Sequence, residues 1–168
     1  AAGDFAALPR RPVARKRVAL VGELYTKYCA LGNWDILPFL EEAGCEGAVN
    51  GFSWYILYYI SSQIAGTTGP VQALWRGFQR TMTAALAAHG FHSLPPFPAF
   101  QREAADWISQ TLRVADGWLI GAECAAHIHA GCHRVLAMQP FGCLPNHIVG
   151  KGVIKELRRH YPQSNIIA

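Results

Sequence analysis

"RVALVG", residues 17–22, is the stretch whose reading decides the fold. It is short, rich in β-branched and apolar side chains, and bounded by Arg17 and Gly22, which is the pattern of a strand. Its apolar residues run without alternation. Both faces of the strand must then be covered, as happens in a parallel sheet sandwiched between helices.

The sequence around this strand supplies the rest of such a sheet. "GNWDILPFLEEAG" (32–44) predicts a helix with Asn33 as N-cap and Gly44 just past its end. Pro38 fits there only within the first turn, where few amide hydrogen bonds are lost. A second strand is expected near Gly47–Asn50, giving a β-α-β unit with a right-handed crossover. Two helical segments follow, "WYILYYISSQIAG" (54–66) and "GPVQALWRGFQRTMTAALAAHG" (69–90), separated around Thr67–Pro70. In the second, Val71, Leu74, Trp75, Phe78, Met82 and Leu86 recur at helical spacing. A Pro-rich connector, "FHSLPPFPAF" (91–100), precedes a helix expected to run to about Arg113. After a break at Asp116–Gly117, another helix is expected to end at Gly131. "RVLAMQ" (134–139) reads as the third strand, residues near 147–160 as the next helix, and "NIIA" (165–168) as the fourth strand. The fold expected is α/β: a small doubly wound, flavodoxin-like parallel sheet of about four strands, with extra helices between strands two and three. Residues 17–168 would form one domain, with residues 1–16 a basic linker or an artificial addition.

Composition agrees. A chain of 168 residues, 51% hydrophobic and 15% charged, can bury a sizeable core. It begins without Met and ends on the apolar Ile166-Ile167-Ala168, so the expectation is a fragment of a larger multidomain protein. The net charge of +4 is mild. Its basic residues fall in 10–17 and on the helix near 151–159, without the interleaved aromatics of a nucleic-acid surface, so no nucleic-acid partner is expected. "FSWYILYYI" (52–60) is too short to cross a bilayer, which takes about 20 residues, and residues 1–16 hold no apolar signal core. Five scattered cysteines, an odd number, do not form a disulfide framework and suggest a cytoplasmic protein.

In a doubly wound sheet, ligands gather outside the carboxyl ends of the strands, where the strand order reverses. The loops after strands one and three, residues 22–33 and 139–147, share that rim, and they carry Cys29 and Cys143. Cys143 sits between Pro140 and Pro145, in a loop stiffened by proline and shaped by Gly142. It precedes a helix N-terminus, which favours thiolate, the form that binds metal. Free amides in such a loop can donate to the sulfurs of a cluster. His147 is a candidate second-layer donor or proton carrier, and Lys151 a candidate anion contact. Gly150 and Gly152 weaken the helix start and would allow close packing or close approach of a ligand. On the other rim loop, Glu23 and Tyr25 are candidates for acid–base work, with capping inside the loop the plain alternative. No phosphate-binding glycine loop follows any strand. "ECAAHIHAGCH" (123–133) lacks the tight C-x-x-C knuckle of structural zinc and is read as helix-face and turn residues, leaving the sheet at its amino edge.

These motifs carry a resemblance. "VGELYTKY", "GNWDI", "DGWLIGAE" and above all "QPFGCLPNHIVGKGVIKELRRHYPQSNI" resemble the large activase-related proteins of the 2-hydroxyacyl-CoA dehydratase system. The resemblance spans most of residues 17–168 and is weakest between 52 and 100. It implies low-potential electron chemistry: an ATP-hydrolysing activase module drives an electron uphill, and a dehydratase-like part of stacked flavodoxin-like domains holds a 4Fe-4S or related iron–sulfur cluster. On this resemblance Cys143 is the cluster ligand, Gly142 and Asn146 shape its loop, and Glu23 and Tyr25 are pocket residues. Cys29, Cys45, Cys124 and Cys132 are given no ligand role. The activase ATP site and the other cluster cysteines are missing from the sequence, so the isolated segment is expected to purify without iron and to be inactive. Two alternatives stand beside it: a docking or structural domain without chemistry, and an acyl-CoA-binding domain without a cluster.

Overall fold

A strand flanked on both sides by parallel neighbours organises the chain, and it is the one that RVALVG belongs to. The computed structural model describes residues 1–10, 13–63, 68–106 and 108–168. Arg11 and Pro12 of the basic segment, residues 64–67 around the expected helix break, and Trp107 lie outside the described residues. Strands β1 (Lys16–Gly22), β2 (Cys45–Val49), β3 (Arg134–Met138) and β4 (Asn165–Ile167) form one sheet in the order β2-β1-β3-β4. Every pairing is parallel, with Ala19 beside both Ala48 and Val135. This is the expected α/β, flavodoxin-like arrangement. The winding reverses between β1 and β3, and Glu23 donates its amide to the Met138 carbonyl there at 3.0 Å.

Alternate residues of β1 serve the two faces. Ala19 and Val21 join Ile120, Cys124 and Ile128 of α8 (Leu119–His129) and Ile154 and Leu157 of α9 (Lys151–His160). Val18 and Leu20 pack with Leu40 of α4 (Ile36–Glu42). The inserted segment builds its own aromatic core. Trp118 is 1% exposed, and its ring lies 5.1 Å from Tyr58, 6.0 Å from Phe97 and 6.1 Å from Phe100. These rings come from α5 (Phe52–Gln63), the residue before α8, and α7 (Phe97–Ala105), so an insertion between strands two and three is held by burial rather than by sheet pairing.

Gly22 lets the rim loops leave side by side. Its φ is 119°, and a Cβ there would lie 2.1 Å from the Met138 carbonyl oxygen. Gly22→Ala must part the ends of β1 and β3, and a loss of about 2–4 kcal/mol is expected from strain and lost pairing together. Urea denaturation measures it; an unchanged midpoint would show that this close approach is not required.

Local details depart from the sequence reading. β2 starts two residues earlier than expected, at Cys45. The helix of residues 32–44 is split: α3 (Ala30–Asn33) ends, Trp34 and Asp35 turn through left-handed φ values of 56° and 54°, and α4 begins. Asn33 still caps, because the Ile36 amide donates to its Oδ1 at 3.3 Å, and Pro38 does fall in the first turn of α4. The helix expected to reach Arg113 stops at Ala105, short by two turns. β-branched Ile108, Thr111 and Val114 disfavour its continuation, and the Gln101 and Gln110 side chains bond across the turn instead. In α6 (Thr68–Ala87) the apolar stripe faces outward, with Val71, Leu74, Phe78 and Met82 exposed. The buried residue is Gln79, whose Oε1 accepts from the Phe97 amide at 2.7 Å. Before β1, α1 (Ala2–Ala6) is followed by Arg10 over the Phe91 ring and Arg15 donating to the Glu41 and Cys45 carbonyls. Among the described residues, no helix is long and apolar enough to cross a membrane.

Candidate functional site

The Cys143 loop is a turn followed by a wide helical coil. Pro140 through Cys143 close a β-turn, with the Cys143 amide donating to the Pro140 carbonyl at 3.3 Å. Gly142 occupies the third position with φ of 82°, the left-handed value a type II turn needs there. Phe141 at the tip is fully exposed. The expected helix then opens as a π-helical turn over Asn146–Gly150 before α9, a feature frequent at functional sites. Gly150 accounts for its tight seating, since a Cβ would meet Gln139 at 3.2 Å and Ile120 at 3.4 Å. Gly152 has open space around it.

The wide turn carries Asn146 inward. It is completely buried, and its side-chain amide donates to Cys143 Sγ at 3.1 Å and to Asp116 Oδ2 at 2.8 Å. One NH2 group thus spends a hydrogen on a sulfur and a hydrogen on a carboxylate. The Asn146 Oδ1 has no partner among the described residues. Cys143 itself is only half-buried, so the sulfur is accessible while its donor is fixed. His147 is half-buried too, and its amide closes onto the Cys143 carbonyl at 3.0 Å.

Around Asp116 the rim is unexpectedly acidic. Burial raises its pKa, and the nearby charges of Glu23 and Glu123 push the same way, against the Asn146 hydrogen bond and Lys27. Tyr55 feels burial and the fields of Asp116 and Glu23, which raise its pKa. A buried cation answers this cluster from inside. Lys27 Nζ lies 2.8 Å from Glu123 Oε1 and 2.9 Å from Oε2, and both side chains are 1% exposed. Asn50 Nδ2 donates to the same Glu123 at 3.0 Å, and the Tyr28 hydroxyl donates to the Asn50 carbonyl at 2.6 Å. Lys27, Tyr28 and Asn50 also line a cleft of about 340 Å3 with Asn33, Asp35 and Val49.

The candidates named from sequence divide clearly. Glu23 caps α2 (Leu24–Tyr28), its Oε2 accepting from the Thr26 amide at 2.8 Å, while its charge contributes to the Asp116 cluster. Tyr25 is exposed beside Cys29 and lowers that thiol's pKa through a hydrogen bond, helped by the Gly32 and Leu31 amides. Cys143, Gly142 and Asn146 come together. Lys151 is exposed and lines a separate shallow groove with Lys155 and Arg158. Cys124 and Cys132 are core thiols, and burial raises both pKa values. The helix that carries Cys124 ends away from the rim, but it starts at it: Glu123 reaches Lys27 of the first rim loop. Asp116, Glu123, Lys27 and Asn50 escaped sequence reasoning as a set. The signal available was weak, a lysine inside the apolar stretch after β1 and an acid in a helix of Ala, Ile and Cys.

Among the described residues, no group of three or more His, Cys, Asp or Glu is placed to hold a metal ion. The described residues therefore offer Cys143 with a fixed N–H donor to its sulfur, not a complete ligand set. No protein-family model, no curated protein and no solved structure matches the chain.

Proposed function

We propose that this chain is a domain of an ATP-driven iron–sulfur electron-transfer protein, related to 2-hydroxyacyl-CoA dehydratases and their activators, and that it supplies one cluster ligand, Cys143. The observation that carries the reading is the Asn146 bridge, which gives Cys143 Sγ a buried amide donor at 3.1 Å. A donor to sulfur lessens the charge on a metal-bound sulfur and tunes the potential of a cluster. Pro140, Gly142 and Pro145 hold the sulfur at a half-open position, which suits a ligand shared with another part of the assembly. When bound, the cluster supplies low-potential one-electron chemistry. The residues here orient the sulfur, keep its donor out of competition with water, and place Asp116 one hydrogen bond behind it. The remaining ligands, the activase and any acyl-CoA substrate belong to other parts of the polypeptide or to its partners.

A second reading has an observation of its own. Phe141, Leu144 and Ile148 are all exposed around Cys143, 105%, 66% and 62% respectively, as in a docking surface without chemistry. Anaerobic titration of the chain with a synthetic 4Fe-4S thiolate complex separates the two. Cys143 is expected to displace one thiolate of the complex and shift its visible absorption, an exchange lost in Cys143→Ser and kept in Cys29→Ser, whereas one protein ligand alone is not expected to hold the cluster through gel filtration. Exchange that ignores Cys143 would leave only the docking role.

A further inference from the structure

A second cavity, of about 370 Å3, lies against β2 and α6 and is lined by His127 and Asn50. Both side chains are buried, at 2% and 4% exposure. Neither ring nitrogen of His127 has a hydrogen-bond partner among the described residues, nor does Asn50 Oδ1, although the Asn50 NH2 group donates to Glu123. A buried donor or acceptor left unmet costs about 1–3 kcal/mol, so three such atoms on two residues that line one cavity point to a complement.

The chemistry of that complement can be read from the wall. Burial first, then the positive charges of Lys27, Arg17 and His92, hold the His127 pKa down to about 3. The imidazole is neutral at physiological pH and presents one N–H donor and one bare nitrogen. Lys27 is neutralised by Glu123, burial and Arg17 lower the pKa of His92, and Arg17 is offset by Glu46 on the same wall. No net charge selects an ion. The rest of the wall is chiefly apolar, with Trp54, Met82, Leu86 and Leu94, and Thr83 and Ser93 add neutral polar edges. A volume near the lower end of small-molecule sites, about 300–1,000 Å3, leaves room for one ring.

We propose that this cavity binds a small neutral molecule with an aromatic or branched apolar body and a hydroxyl end, the hydroxyl donating and accepting between His127 and Asn50. It is a site separate from Cys143 and stands whether or not the chain carries a cluster.

The test compares p-cresol with toluene, which differs by the hydroxyl alone, followed through Trp54 fluorescence and the imidazole NMR signals of His127. The cresol is expected to bind about tenfold more tightly, the worth of roughly one to two net hydrogen bonds, and to shift the His127 signals. In His127→Phe the two probes are expected to bind alike. Leu86→Trp fills the cavity from the half-buried face of α6 and is expected to bind neither while keeping the native circular dichroism spectrum. If toluene matches the cresol in the wild-type chain, or Leu86→Trp binds as well as wild type, the site is not what its wall implies. Those two comparisons decide the matter even if His127→Phe fails to fold.

Discussion

Lys27→Ala is expected to destabilise the chain by about 3–5 kcal/mol, the cost of stranding a buried charge. Among the described residues Glu123 would keep only the Asn50 amide at 3.0 Å, inside a site where its own carboxylate is 1% exposed and Asp116 already repels it. The companion variant discriminates the pair from the volume it fills. Lys27→Met with Glu123→Leu removes both charges and keeps apolar bulk, and is expected to recover most of the loss, since exchange of a buried ion pair for apolar groups is often near neutral. Urea denaturation of the two variants reads both effects. Equal stability of the single and the double variant would mean that the ion pair is solvated in solution and does not hold the rim.

That pairing also marks where sequence reasoning stops. The sheet was legible because its information is local: RVALVG declares a two-sided strand, and the Pro and Gly residues about Cys143 declare a turn. Gly142 indeed takes the left-handed φ of 82° such a turn demands. Lys27 and Glu123 are 96 residues apart, and each alone has the pattern of an ordinary helix charge. Only the packing of α8 against β1 and the loop that follows it brings them together and makes them buried. Asp116 likewise reads as a helix breaker, although the helix has already ended at Ala105. Its role, accepting the hydrogen bond of Asn146, depends on a π-helical turn that no periodicity announces. The stripe on α6 was legible as a helix but not as a surface, because spacing reveals which residues share a face and says nothing of what covers it.

The second large effect concerns the sulfur. Cys143 is the accessible thiol with a buried side-chain amide aimed at it, whereas Cys124 and Cys132 are core thiols whose pKa values burial raises. Cys29 is the credible rival, with a pKa lowered by Tyr25 and by the Gly32 and Leu31 amides. Its side-chain partner, however, is the exposed Tyr25 rather than a buried amide. Loss of Cys143 should therefore cost the native polypeptide most of its iron, and loss of Cys29 very little.

Iron and acid-labile sulfide, measured on the native polypeptide purified without oxygen, give the most direct test. Cys143→Ser should retain less than about a tenth of the wild-type iron, the loss expected when a charged, hydrogen-bonded ligand worth more than about 1.4 kcal/mol is removed, and Cys29→Ser should retain nearly all of it. Full iron in Cys143→Ser would contradict the assignment of this rim as a ligand site.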